Sequence, residues 1–303
     1  MPAQSMKKLT TSTLHALKAR GEKATFLTAY DFPTSIFADR AGIDLLLVGD
    51  SAAMTVLGHP NTLAITMTEM LVFARAVARG AKRAFVVGDL PFLSYQVSDD
   101  DAVRNAGAFI AAGCDAVKCE GGTRVARRVR AMTDAGIAVM GHLGLTPQAI
   151  GQQGGYRVQG KTLAATERLL DNAIALQHAG VFAILLEAVP AVCASYLRER
   201  LDVLVYGIGA GPDVDGQLVI SHDLLGNFVG DVAPRFVSRY ADLDGVVEHA
   251  FRRYADDVRA GRFPAPEHCY PIEQAEADAI REAGRFTVHA AHITPPLARA
   301  SAS

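Results

Sequence analysis

Short apolar runs alternate with helix-like stretches through most of this chain, and several of the runs end the same way. Leu45-Leu46-Leu47-Val48-Gly49 stops at Asp50, Phe85-Val86-Val87-Gly88 at Asp89, and Ile184-Leu185-Leu186 at Glu187. Ala116-Val117 leads into Lys118-Cys119-Glu120. A short apolar run bounded by turn residues reads as a strand buried on both faces, which is what a parallel sheet demands. Acids are rarely buried without a positive partner. Four such endings in one chain point to a shared site at the carboxyl ends of the strands.

Strands are expected near Thr25–Thr28, Asp44–Val48, Ala84–Gly88, Ala116–Cys119, Ala138–Met140, Phe182–Leu186, Val203–Gly207 and Leu218–Ser221. Between them lie helices with readable starts. Thr66 to Glu69 has the form of a capping box opening a helix that Gly80 stops. Ser98 precedes the acidic turn Asp99-Asp100-Asp101, which suits a helix N-terminus, and that helix ends at Gly113. Ala164–Ala179 forms a further helix closed by Gly180. About eight strand–helix alternations with no break in composition predict a single α/β domain, a (β/α)8 TIM barrel, over residues 1–270. A doubly wound open sheet is the alternative. Residues 271–303, with Pro295-Pro296 and a small-residue end, read as a peripheral or disordered tail.

The remaining features bound the partners. Thirty basic residues face 32 acidic ones, for a formal charge of −2, so nothing argues for nucleic acid or an anionic membrane surface. No apolar stretch approaches the ~20 residues of a spanning helix, and no secretory signal is visible. Cys114, Cys119, Cys193 and Cys269 show neither metal-ligand nor disulfide spacing. A reduced, cytoplasmic protein is expected.

Strand side chains alternate, so Lys118 and Glu120 share a face and Cys119 takes the other. If that face is the barrel mouth, Asp50, Asp89 and Glu120 converge there. Three oxygen donors without clustered His or Cys suit a hard cation such as Mg²⁺, which leaves room for a chelating substrate. The plainer alternative is that these acids cap helices or pair with local arginines. Lys118 could neutralise an anionic substrate, or could pair with Glu120. Glu187 closes the most apolar strand, where a carboxylate should have a raised pKa suited to a general base. It could equally be a paired or capping glutamate. His142, in Gly141-His142-Leu143-Gly144-Leu145-Thr146-Pro147-Gln148, is placed just past the fifth strand, with Thr146-Pro147 starting the next helix. His59 and His222 read as structural. Gly207-Ile208-Gly209-Ala210-Gly211 lacks the sixth position of a dinucleotide fingerprint, where Pro212 stands, and fits a glycine-rich seventh loop better.

These segments, in this order, resemble the ketopantoate hydroxymethyltransferase (3-methyl-2-oxobutanoate hydroxymethyltransferase) family. The matching stretches are Thr28-Ala29-Tyr30-Asp31, Val48-Gly49-Asp50-Ser51, Gly88-Asp89-Leu90-Pro91-Phe92 and Lys118-Cys119-Glu120-Gly121-Gly122. The Gly141–Gln148 segment, Gly154–Gly160, Leu186-Glu187, Gly207–Gly211, Asp215-Gly216-Gln217 and His222-Asp223 complete the set. The resemblance implies a barrel similar to phosphoenolpyruvate mutase and isocitrate lyase, and a large homo-oligomer, a homodecamer. It implies Mg²⁺ held by Asp50, Asp89 and Glu120. Asp50, Ser51, Asp89, Lys118 and His142 would contact the 2-oxoacid, and Glu187 would be the proton acceptor. The implied reaction transfers a hydroxymethyl group from 5,10-methylenetetrahydrofolate to 3-methyl-2-oxobutanoate through a Mg²⁺-stabilised enolate. It gives 2-dehydropantoate for pantothenate and coenzyme A synthesis. Two departures are modest: Cys119 replaces an aliphatic residue, and Ala52-Ala53 replaces a pair that usually includes glycine. A C–C or P–C lyase of the same barrel type, or a non-catalytic barrel that kept the fold, are the competing readings. Folate dependence separates the first from the transferase, and turnover separates the second.

Overall fold

A computed structural model describes residues 7–230 and 234–283. Eight parallel strands close into a barrel in sequence order: β1 (Ala24–Thr28), β2 (Leu45–Val48), β3 (Phe85–Asp89), β4 (Ala116–Glu120), β5 (Val139–Gly144), β6 (Ala183–Glu187), β7 (Leu204–Ile208) and β8 (Gly216–Val219). Pairing of β1 with β8 closes the cylinder and rules out the open doubly wound sheet.

The apolar runs are continuous because each strand has two dry faces. Leu45, Leu47, Phe85, Val87, Ala116, Met140, Ala183, Leu185, Leu204 and Tyr206 fill the barrel interior. Their neighbours Leu46, Val48, Val86, Val117, Cys119, Ile184, Leu186 and Val205 pack outward beneath the helices. That alternation decides where the polar residues go. Asp89 follows Phe85 and Val87 on the inner face, and Lys118 and Glu120 follow Ala116. His142 follows Met140, and Glu187 follows Ala183 and Leu185. Cys119 points away from the mouth, as alternation requires.

The helices begin where their caps place them. Thr66 caps Met67–Gly80 through a full capping box with Glu69, and Ser98 caps Asp99–Ala111. Leu163–Ala179 ends on Gly180 in the left-handed region. Gly88 lets a helix approach: a Cβ there would lie 2.3 Å from Phe109 Cδ1.

Several expectations need correction. The fifth strand runs to Gly144, so His142 lies inside it, paired in register with Glu120 and Leu185. Its chain is extended by the ladders on both sides, which outweigh the two flanking glycines. Thr146-Pro147 starts only a 3-10 turn, Pro147–Ala149, followed by the single turn Ile150–Gln153. Gly80 is the last helical residue rather than the stop, buried against Ser35. The eighth strand is shifted towards the N-terminus, because Gly216 and Gln217 pair with β7 while Ser221 opens a short helix.

The chain divides into two units, Met1–Asp244 and Gly245–Ser303. The second holds helices Leu243–Arg259, shared across the division, and Gln274–Glu282. The expected tail lies partly here, and its part beyond residue 283 falls outside the described residues. Among the described residues no helix is long and apolar enough to cross a membrane.

Candidate active site

Every residue singled out for chemistry comes to the carboxyl ends of the strands. Register sets them side by side: Asp89 pairs with Lys118, Glu120 with His142, and Gly144 with Glu187. Asp50 lies two residues past β2, and its main-chain N–H donates to Asp89 Oδ2 at 3.0 Å. Asp50, Asp89, Lys118, Glu120 and His142 are all buried. Glu187 is the most open of the group, with 18% of its side chain exposed.

Lys118 pairs with Asp89, not with Glu120. Its Nζ lies 2.8 Å from Asp89 Oδ1, a close, buried charge contact. Burial alone would lower the Lys118 pKa, but the charges of Asp89, Glu120 and Asp50 outweigh it and raise it. Asp89 moves well above the usual carboxylate range because it is buried and faces Asp50, effects only partly offset by Lys118.

His142 bridges the two halves of the site. Its Nδ1 lies 3.3 Å from Lys118 Nζ and 3.4 Å from Glu120 Oε1, and its Nε2 lies 3.2 Å from Glu187 Oε2. Burial and Lys118 pull its pKa down, but Glu120 and Glu187 outweigh them and raise it to about 9. The ring thus stands between Glu120 and Glu187. Strand alternation brings His142 inward beside Glu187, so this glutamate has a side-chain partner, as the paired alternative expected. Ser51 sits at the rim, its Oγ 2.8 Å from the Tyr30 hydroxyl.

Four residues of this constellation carry no signal that the strand-end argument could detect. Gln148 bonds Asp50 and, through its main chain, Glu120. Tyr95 bonds the main chain of Glu120, and Tyr30 holds Ser51. Tyr156, half exposed, sits near enough to Asp50, Glu187 and Glu120 for their charges to raise its pKa, after burial. Gln148 and Tyr156 lie inside motifs already noted. Tyr95 lies in a loop with no pattern at all.

The donor set fits a hard divalent cation. Four carboxyl groups, those of Asp50, Asp89, Glu120 and Glu187, share the mouth with one lysine, Lys118, and one histidine, His142. Asp89 Oδ1 and Glu120 Oε1 are buried without an aligned hydrogen-bond donor. As they stand, no three His, Cys, Asp or Glu side chains among the described residues already enclose a cation. Gln148 occupies one oxygen of Asp50 and one of Glu120, and Asp89 leans on Lys118. Mg²⁺ commonly binds through one or two carboxylates and retained waters, so a closed protein cage is not required.

Residues 8–266 match the family model described as ketopantoate hydroxymethyltransferase. The 3-methyl-2-oxobutanoate hydroxymethyltransferase of Syntrophobacter fumaroxidans is 52% identical over 259 residues, covering 85% of this chain and 92% of the relative. The enzyme of that name from Moorella thermoacetica is 52% identical over 264 residues, covering 87% and 98%. Among solved structures, 2,3-dimethylmalate lyase, described as a PEP mutase/isocitrate lyase superfamily member, superposes with a TM-score of 0.56 at 17% identity, covering 90% of this chain and 97% of that one. That likeness assigns the barrel type.

Proposed function

This chain belongs to the ketopantoate hydroxymethyltransferase family, a hydroxymethyltransferase acting on 3-methyl-2-oxobutanoate, and we propose how its residues divide that reaction. Asp50, Asp89 and Glu120 hold a Mg²⁺ ion. When bound, that ion supplies Lewis-acid stabilisation for negative charge on the ketoacid oxygens. Lys118 offsets the substrate carboxylate and, with Asp50, Asp89 and Ser51, fixes its orientation. Glu187 takes the proton from C3. Water adds to the methylene carbon of 5,10-methylenetetrahydrofolate as its bonds to the two folate nitrogens break, and tetrahydrofolate leaves with both nitrogens protonated. C3 bonds to that carbon, whose added oxygen takes up the proton and becomes the hydroxyl of 2-dehydropantoate.

The observation that supports this best is the contrast between the acids. Asp89 and Glu120 each keep a buried oxygen without an aligned donor, which suits ligands. Glu187 is more open, with His142 beside one oxygen, which suits a base that must reach substrate and keep its orientation. His142 acts on Glu187 and Glu120 rather than standing alone at the substrate, since both ring nitrogens face side chains.

A reducing, cytoplasmic setting accords with four free thiols. Assembly into a homodecamer belongs to the same reading. Support comes from helix Leu243–Arg259, where Val246, Val247, Phe251, Tyr254 and Val258 are exposed and nothing is buried.

The test is Glu187→Gln. Ketoacid binding in the presence of Mg²⁺ should persist, while exchange of the C3 proton into heavy water stops. Exchange at the wild-type rate would remove Glu187 from the role of base, and loss of ketoacid binding would make it a binding residue instead.

A further inference from the structure

Gln148 ends the segment Gly141–Gln148, and its side chain is buried against the segments that follow β2 and β3. Its Nε2 donates to Asp50 Oδ2 and to the Leu90 carbonyl, both at 2.9 Å. Its Oε1 accepts from the Tyr95 hydroxyl at 2.9 Å and from Gln96 Nε2 at 3.2 Å. Its main-chain N–H donates to Glu120 Oε2 at 2.9 Å.

The neighbours dictate which way this amide faces. The Leu90 carbonyl can only accept, and Gln96 Nε2 can only donate. Turning the amide over would set oxygen against that carbonyl and NH2 against a donor. The Tyr95 hydroxyl accepts from the Glu120 main-chain N–H at 2.9 Å, and its one proton is shared between Gln148 Oε1 and the Glu120 carbonyl at 3.0 Å. One residue thus touches two acids, Asp50 through its side chain and Glu120 through its main chain.

We infer that Gln148 is a positioning residue that anchors one oxygen of Asp50 through its side-chain amide and one of Glu120 through its main-chain N–H, leaving the other oxygen of each for the divalent cation, with Tyr95 and Gln96 holding the amide in place. The inference rests on the cation reading given above. A carboxylate anchored through one oxygen presents the other without having to be ordered when the cation arrives, which is how partners of ligands raise affinity. Without the amide, Asp50 is free to turn towards Lys118, whose ammonium already feels its charge.

The test is titration of MgCl2 into the full-length protein with 3-methyl-2-oxobutanoate present, followed calorimetrically, with the unfolding midpoint measured in EDTA. Gln148→Met keeps the length and loses the polar atoms. It should bind Mg²⁺ about 10–100-fold more weakly, while remaining folded in EDTA. Tyr95→Phe should weaken binding in the same direction, and adding it to Gln148→Met should cost no more than about twofold further. Folded Gln148→Met with wild-type Mg²⁺ affinity overturns the inference, as do independent, fully additive losses. If Gln148→Met does not fold, Tyr95→Phe decides, and unchanged Mg²⁺ affinity there overturns it. Wild-type protein that takes up no Mg²⁺ overturns the cation reading itself, and this inference with it.

Discussion

Gly144→Ala should damage the proposed base through the backbone, without touching any reacting group. Gly144 closes β5 at φ +91 and pairs in register with Glu187. A Cβ there would lie 2.2 Å from the Glu187 carbonyl oxygen, 3.1 Å from its nitrogen and 2.9 Å from Val189 Cγ1. Ordinary contact begins at 3.4 Å, so the end of β6 must retreat by about 1 Å. The closest obstructing atom, the Glu187 carbonyl oxygen, is main chain, so no side-chain rotation relieves it. Positive φ costs an L residue roughly 1–2 kcal/mol and overpacking about 1–3 kcal/mol. Together they lower the unfolding midpoint by on the order of 5–15 °C. A displacement of about 1 Å at a reacting group costs around 10²-fold in rate. The assay is C3 proton exchange in heavy water, read beside Mg²⁺ and ketoacid affinity. Exchange should fall about 100-fold with affinities changed only a few-fold, because the ligand acids lie on β2, β3 and β4. A variant with wild-type exchange and midpoint would refute the claim that this glycine sets the position of Glu187.

Lys118→Met leaves Asp89 buried without its ammonium and should cost about 3–5 kcal/mol at neutral pH. The folded Asp89 pKa already lies above its unfolded value, so protonation favours the folded state and the cost should shrink as pH falls. Urea unfolding in EDTA at pH 8 and pH 6 checks this, and an equal cost at both contradicts it. Burial pushes the Cys114 and Cys119 thiols up to about 12, while Cys269 is exposed. Iodoacetamide at pH 8 should therefore label Cys269 and spare both, as counted by peptide mass spectrometry. Labelling of Cys119 in the folded protein would show that it is not shielded beneath the helices. Thr66→Ala removes one half of the capping box and should lower stability by about 1 kcal/mol, seen as an earlier urea midpoint. An unmoved midpoint would show the cap to be redundant.

The barrel was legible because its strands announce themselves locally. A parallel strand with two dry faces is an unbroken apolar run, and a bounded run needs no knowledge of its partner. Closure was not local, since only the pairing of β1 with β8 distinguishes a barrel from an open sheet. The acids were legible for the same reason as the strands: Asp89, Glu120 and Glu187 end apolar runs, and alternation fixes their inward direction. What alternation could not supply was contact across strands. The pairing of His142 with Glu187 depends on registers between neighbouring strands, and placing His142 beyond the strand end hid it. Gln148 and Tyr95 were harder still. Their part in the site comes from loops that cross the mouth, where no periodicity points anywhere.

Those contacts explain how one barrel mouth keeps four carboxylates in place. Asp89 Oδ2 accepts from the Asp50 main chain while Oδ1 faces Lys118. Asp50 Oδ2 is held by Gln148, Glu120 Oε2 by the Gln148 main chain, and Glu187 Oε2 lies beside His142. Asp50, Glu120 and Glu187 therefore each have one oxygen beside a protein donor, whereas both oxygens of Asp89 face one. Fixing one oxygen orients an acid and leaves the other open, whereas fixing neither would leave a buried acid that protonates instead. Gathering four carboxyl groups at one mouth costs the folded barrel alone, because an unfolded chain disperses them in water. On the cation reading proposed above, an ion at the open oxygens would relieve that cost, so affinity for the ion and stability of the mouth should rise together.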